Sequence, residues 1–203
     1  MVQIFNNRKI NKGLNSFVNY IMTGVDELNT GLELGIEANL SPTISVSGVF
    51  GYGQYIYTSR PSVTITQDNN ATMLATGRTV YLKNYYVGGM PQTVASMGIR
   101  YNAPKYWFIG VNGNFFGNAY LPVNPDRHTK EALAGLPKGD YRVPGVLAQE
   151  KLPDGMTVDM FGGKSWRIHH KYTFGFTLSM SNLLDNTRLI TGGYEQLRYD
   201  SQN

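Results

Sequence analysis

The side chains able to do chemistry are few: three histidines, no cysteine and fourteen acidic residues in 203. His169-His170, with Asp159 upstream, is the densest group of metal-ligand types. Adjacent residues of a strand point to opposite faces, so the two imidazoles are not expected to share an ion, and no metal or cofactor is expected. Met156 and Met160 are soft donors better read as loop packing. No serine stands in a nucleophile elbow, and the glycines of 48–53 lie within an alternating run instead of opening a helix. The acids are scattered, without the paired carboxylates that hydrolysis requires. The chain therefore does not read as an enzyme. The polar groups left as candidates are Glu33, Glu37 and Arg100, at alternating positions, and Tyr120, Arg127 and His128, in a polar stretch.

Alternation is what must position these groups. In residues 31–40, Leu32, Leu34, Ile36, Ala38 and Leu40 share one face, and Glu33, Gly35, Glu37 and Asn39 the other. Strand side chains alternate in this way. Ser41-Pro42-Thr43 turns the chain, since proline presets a turn and cannot donate to a ladder. Ile44, Val46, Gly48, Phe50 and Tyr52 then return along one face. The same grammar recurs in 93–102, in 107–115 and in 172–180.

Composition says where such strands belong. Charged residues are 16% and aromatics 12% of the chain, against about 25% charged in average soluble domains. No run approaches the roughly 18 apolar residues of a membrane helix. The polar faces carry mostly Gly, Ser, Asn and Thr, as a wet lumen would, and aromatics cluster near strand ends, as in membrane interfacial girdles. The expected fold is all-β: an antiparallel transmembrane β-barrel segment, with Glu33, Glu37 and Arg100 facing the lumen. A net charge of +4 without a basic cluster argues against nucleic acid as a partner.

The connections are lopsided. Short turns are expected at 41–43, 103–105 and 183–186, and long outer loops at about 58–79 and 118–165. Short and long alternate if 80–87 continues into 93–102 as one extended strand, with 88–91 as a bulge. Crossings then run roughly 14–24, 31–40, 43–57, 80–102, 106–119, 166–182 and 187–199, about seven strands. Residues 129–134 are expected to form a short helix capped by Thr129.

Asn182-Leu183-Leu184-Asp185-Asn186, followed by Thr191-Gly192-Gly193-Tyr194-Glu195-Gln196, resembles the penultimate hairpin of TonB-dependent receptors of Bacteroidetes-type bacteria. Thr23-Gly24-Val25-Asp26-Glu27 with Gly31-Leu32-Glu33-Leu34-Gly35 is similar to an earlier hairpin of that family, and Gly89-Met90-Pro91-Gln92, Tyr106-Trp107-Phe108 and Asn124-Pro125-Asp126-Arg127 fit it. The resemblance covers about 14–199. It implies a bacterial outer-membrane barrel of about 22 strands around a plug, importing a scarce solute (siderophore, cobalamin, glycan or peptide) with TonB-coupled energy. Residues 1–203 correspond to part of that barrel, with the plug, the coupling box and the final strand missing. The partners implied are outer-membrane lipid, the remaining strands and plug, the TonB complex through the N-terminal part, and a small-molecule or glycan ligand. Glu33, Glu37 and Arg100 then become plug contacts, and Tyr120, Arg127 and His128 ligand contacts. A passive porin or small structural barrel, and a soluble β-rich binding module, are the competing expectations.

Overall fold

The structure is a computed structural model that describes residues 2–8, 18–68, 70–137 and 139–189. The strands are β1 (Val2–Arg8), β2 (Val18–Thr23), β3 (Glu27–Asn39), β4 (Ile44–Tyr57), β5 (Ser62–Gln67), β6 (Met73–Thr79), β7 (Thr93–Ala103), β8 (Trp107–Gly117), β9 (Gly155–Ile168) and β10 (Tyr172–Met180). They form two antiparallel sheets, ordered β1-β2-β5-β6 and β10-β9-β8-β7-β4-β3. The chain is therefore all-β, as expected, and among the described residues the six-stranded sheet is open, with β3 and β10 as its edges.

The two sheets are stacked end to end along shared chain paths. β2 and β3 follow one another without reversal, and so do β4 and β5. Their ladders meet where Thr58 N donates to Asp26 O (2.9 Å) and Asp26 N donates to Ser59 Oγ (2.8 Å). Gly24 (φ 74°) supplies the left-handed residue at the break, and Val25 beside it is turned fully inward. Residues 18–24 and 31–40, from segments expected as two crossings (14–24 and 31–40), are thus parts of one path, and 14–17 lie outside the described residues.

The single extended strand expected over 80–102 is not formed: β7 starts only at Thr93, and the chain turns at 83–84, where Asn84 has φ 74° and Tyr85 N donates to Leu82 O, before 85–87 run beside the end of β4. Tyr85 O and Val87 N bond to Tyr57 N and Tyr55 O, Ile56 bridges Tyr86, and Tyr52 pairs with Thr93. Four steps along β4, 52 to 56, thus face seven on the partner, 93 back to 86, a bulge that takes up 88–91. The stretch 58–79, read as an open polar loop, contains β5 and β6, because Val63 and Ile65 alternate into a core that polarity averaged over the segment conceals.

Two further expectations are corrected. The segment 166–182 is not one strand: β9 begins at Gly155 and turns at His169-His170 into β10, so the long loop runs 118–154. Both histidines have positive φ (49° and 54°) and Lys171 N donates to Ile168 O, the signature of a two-residue type I′ turn. They are turn residues, not strand residues. Once β9 and β10 are separated, the turn at 183–186 falls at the end of the sheet that carries the long loop, where Leu183 N donates to Val158 O (2.6 Å). The turns at 40–43, 104–106 and 169–171 share the opposite end. Thr191 to Gln196 and most of the 187–199 crossing lie outside the described residues.

The dry core sits where the two sheets meet. Val18, Tyr20, Met22, Val25, Tyr57, Val63, Ile65, Val80 and Leu82 form one buried cluster, roofed by Tyr85, Val87 and Val123. Leu82→Ala should cost about 2–5 kcal/mol there, seen by hydrogen exchange as faster opening of the β2 and β5 amides with β8 and β9 unchanged.

Candidate functional site

Register across the six strands sorts the side chains into two faces. In one row Leu34 lies opposite Phe50, Phe50 opposite Ala95, Ala95 opposite Phe115, and Phe115 opposite Met156. In another, Tyr101, Ile109, Gly162 and Leu178 are successive partners. That face is apolar from β3 to β10, and nothing among the described residues covers it: Ile36 is 72%, Met97 74% and Leu178 63% exposed. Roughly twenty large apolar side chains stand out of contact in this way. At about 1 kcal/mol for each half-exposed group, a solvated face would forgo on the order of 20 kcal/mol, more than the ~5–15 kcal/mol that hold a whole domain together.

The short-turn end of this face is aromatic and cationic. Tyr101 and Trp107 meet edge to face at 5.3 Å, and Trp166 stacks on Phe174 at 5.9 Å. Lys164 Nζ stands 5.6 Å from the Trp166 ring, and Lys171 Nζ the same distance from Tyr172.

The opposite face is wet but not featureless. Asn114 is its hub: its Oδ1 accepts from Ser96 Oγ (2.8 Å), and its Nδ2 donates to Thr157 Oγ1 (3.2 Å) and Asp159 Oδ2 (2.8 Å). Asp159 Oδ1 accepts from Asn182 N (2.8 Å), Asn182 Oδ1 from Asn186 N (2.9 Å), and Asn186 Nδ2 donates to Met156 O (2.7 Å). The Asn182-to-Asn186 turn is thereby laced to β9, and Asn182 (φ 51°) and Asp185 (φ 49°) take the left-handed conformations that asparagine and aspartate tolerate. Nearby, Asn29, Glu33, Gly51, Gly53, Tyr55 and Gln92 line a shallow pocket of about 230 Å³. A Cβ on Gly53 would lie 2.5 Å from the Tyr55 ring, so glycine lets the ring lie flat on the sheet. Gln92 is buried; its Oε1 accepts from Tyr55 N (2.7 Å), while its Nε2 has no partner.

The structure places Glu33, Glu37 and Arg100 together on this polar face. Neither glutamate makes an ion pair among the described residues. Arg100 lies 4.4 Å over Phe108 and donates to Asn102 Oδ1 (2.8 Å). The loop residues part company. Arg127 is exposed. His128 is 3% exposed, with Nδ1 2.9 Å from Asn124 O, Nε2 3.3 Å from Leu147 O, and Tyr85 edge-on at 4.6 Å. It is a post inside the loop, not a surface contact. Tyr120 stacks on Tyr86 at 4.1 Å; burial first, and then the Tyr86 neighbour, push its hydroxyl pKa up. The helix expected over 129–134 with Thr129 as cap is only a three-residue 3-10 turn, Glu131–Leu133, whose N-cap is Lys130 without a side-chain cap; Thr129 Oγ1 accepts from Ala132 N (3.3 Å).

Sequence reasoning missed Asn114, Asp159, Gln92 and Gln149. Gln149 ties the loop to the bulged path, accepting from Tyr86 N and donating to Tyr86 O and Leu121 O (2.8–2.9 Å). Their common signal is no more than an amide or acid within a strand or loop, which is weak without register. Among the described residues no group of three or more His, Cys, Asp or Glu gathers as a metal site. No helix is long and apolar enough to cross a membrane, which says nothing of a β-barrel. No family model, curated protein or solved structure matches the chain.

Asn182→Ala should loosen the turn internally by removing both side-chain bonds to Asn186, with loss of about 1 kcal/mol for each neutral hydrogen bond removed. Hydrogen exchange at the Asn186 amide should rise while that at Ile109 stays protected.

Proposed function

We propose that this chain is part of the wall of an outer-membrane barrel belonging to an active-transport receptor, which takes a scarce solute from outside and imports it with TonB-coupled energy. The observation that carries the reading is the uncovered apolar face of the six-stranded sheet, backed by a hydrogen-bonded polar face. Hydrocarbon is the solvent that makes such a face stable instead of costly. The strands fit this medium: β7 and β8 have 11 residues each and β10 has 9, close to the 9–11 or so that a tilted strand needs to cross. Aromatic rings and lysine tails at the short-turn end suit an interface. Short turns at one rim and a long loop at the other match periplasmic and outer sides.

An open sheet edge is not tolerated in lipid, so β3 and β10 call for further strands, and the wall belongs to a larger barrel. The receptor reading, over a passive porin, is supported by the Asn-Leu-Leu-Asp-Asn resemblance and by the unpaired Glu33 and Glu37 on the lumen face, which suit ion pairs with a plug. Arg127 and Tyr120, at the loop rim, are the ligand contacts this reading retains; His128 serves by holding the loop's shape.

The chain has no cysteine, so single spin labels can be placed cleanly in cells or vesicles. Labels at Ile36→Cys and Leu178→Cys should be open to oxygen and shielded from a water-soluble nickel chelate; Glu37→Cys and Thr177→Cys should show the reverse. Equal nickel access on both faces would sink the membrane reading. Collapsing the inner-membrane proton gradient separates receptor from porin: solute uptake by cells carrying the gene stops for the former and continues for the latter.

A further inference from the structure

One residue breaks the pattern of the apolar face. From β3 to β10 every position on it is apolar, aromatic, glycine, threonine or glutamine except Lys164, which lies between Trp107 and Phe176 in register. A lone ammonium among apolar groups is costly unless an anion meets it. Among the described residues it has no ion pair; its Nζ donates to Lys105 O at 3.3 Å and lies beside the Trp166 ring. A lysine tail long enough to reach the interface explains how the charge is tolerated, not why it stands on this face.

The surroundings name the anion. On the β9–β10 hairpin Lys164 is two rows (Trp166–Phe174 and Ile168–Tyr172) from the short-turn rim, where Lys105 and Lys171 add positive charge and Trp107 and Trp166 fix the depth of an interface. Towards the middle of the sheet the next residue on the same face of β9 is Gly162, flanked by Ile109 and Leu178. Glycine keeps this position low between those two side chains, a Cβ there standing 3.0 Å from Phe108 O and 3.8 Å from Ile109 Cγ1. A cation on its rim side, indoles on either side and an apolar surface running inward fit a molecule with an anionic phosphodiester head and an acyl tail.

We propose that Lys164, Trp107 and Trp166 form a binding site for one anionic glycerophospholipid at the short-turn rim, its phosphate on Lys164 Nζ and an acyl chain over Gly162. The proposal rests on the membrane reading above and goes beyond it in naming a site and a headgroup chemistry. A charge-assisted bond from an ammonium to a phosphate oxygen is among the stronger hydrogen bonds. One basic side chain at an anionic surface is worth about a fivefold preference.

The two tryptophans are the only ones in the chain, and both flank Lys164, so intrinsic fluorescence reports on this site alone. The chain, assembled with the strands that complete its barrel and carrying the only tryptophans of the assembly, would be refolded into phosphatidylcholine vesicles containing brominated lipid at one fixed mole fraction, either phosphatidylglycerol or phosphatidylcholine. Quenching by brominated phosphatidylglycerol should exceed that by its choline counterpart, with a local enrichment of roughly fivefold. Lys164→Gln should abolish the preference and Lys164→Arg should keep it, the arginine variant showing that the strand accepts a change there. Equal quenching by both lipids in the unaltered chain, or a preference that survives Lys164→Gln, overturns the lipid site and leaves the membrane reading standing. Absence of quenching by either lipid means the indoles do not touch acyl chains, and overturns both.

Discussion

Register is the constraint on which everything else depends. Strand side chains alternate, so a slip of one residue between two neighbours would carry a whole strand's apolar set to the wet face. All five ladders of the six-stranded sheet, from Leu28–Ile56 at one edge to Met160–Met180 at the other, run without a shift. The irregularities gather elsewhere: in the pairing of β1 with β2, in the pairing of β5 with β6, and in the bulge at 88–91. Where the chain must present one face to one medium, pairing is strict. In the four-stranded sheet only the central ladder, β2 with β5, which carries the core, is equally strict.

The molecule holds two kinds of packing. Tyr20, Met22, Val63 and Leu82 are sealed against each other as in a water-soluble domain. Leu34, Met97 and Phe176 touch little, and in the membrane setting proposed above their stabilisation would come from the surrounding hydrocarbon. The polar face obeys a third rule: hydrogen bonds from Ser96 through Asn114 and Asp159 to Asn182 pay for its burial, and glycines give aromatic rings a place to lie flat.

Much of this was legible in the chain. Alternation in 31–40, 93–102, 107–115 and 172–180 placed the strands and both of their faces, and it put Glu33, Glu37 and Arg100 together before any coordinates. The break at 88–91 was legible from two glycines and a proline, but the turn at 83–84, which ends any strand there, was not. What failed was the reading of segments whose pattern is short or masked by polar neighbours. Val63 and Ile65 were hidden between serines and threonines, and the His169-His170 turn carries no glycine or asparagine to announce it. Missing that turn displaced 183–186 to the wrong rim, because each undetected reversal inverts the direction of everything after it. His128 was misjudged for a different reason: a histidine in a polar loop reads as available, and only the carbonyls of Asn124 and Leu147 show it to be committed.

The sealed core at one end has a mechanical consequence. β2 and β5 prolong the paths of β3 and β4 beyond the kink at Gly24, so the sheet ends in a thick, dry-cored head on one side and in bare two- to four-residue turns on the other. Set in a bilayer, such a body behaves as a rivet. Its head is too broad and too well hydrated to sink through hydrocarbon, while the lysines and indoles at the slender end resist being drawn back. Depth and tilt of the wall would then be set at both surfaces at once, and a pull applied to the lumen side would meet a wall that bends before it slides.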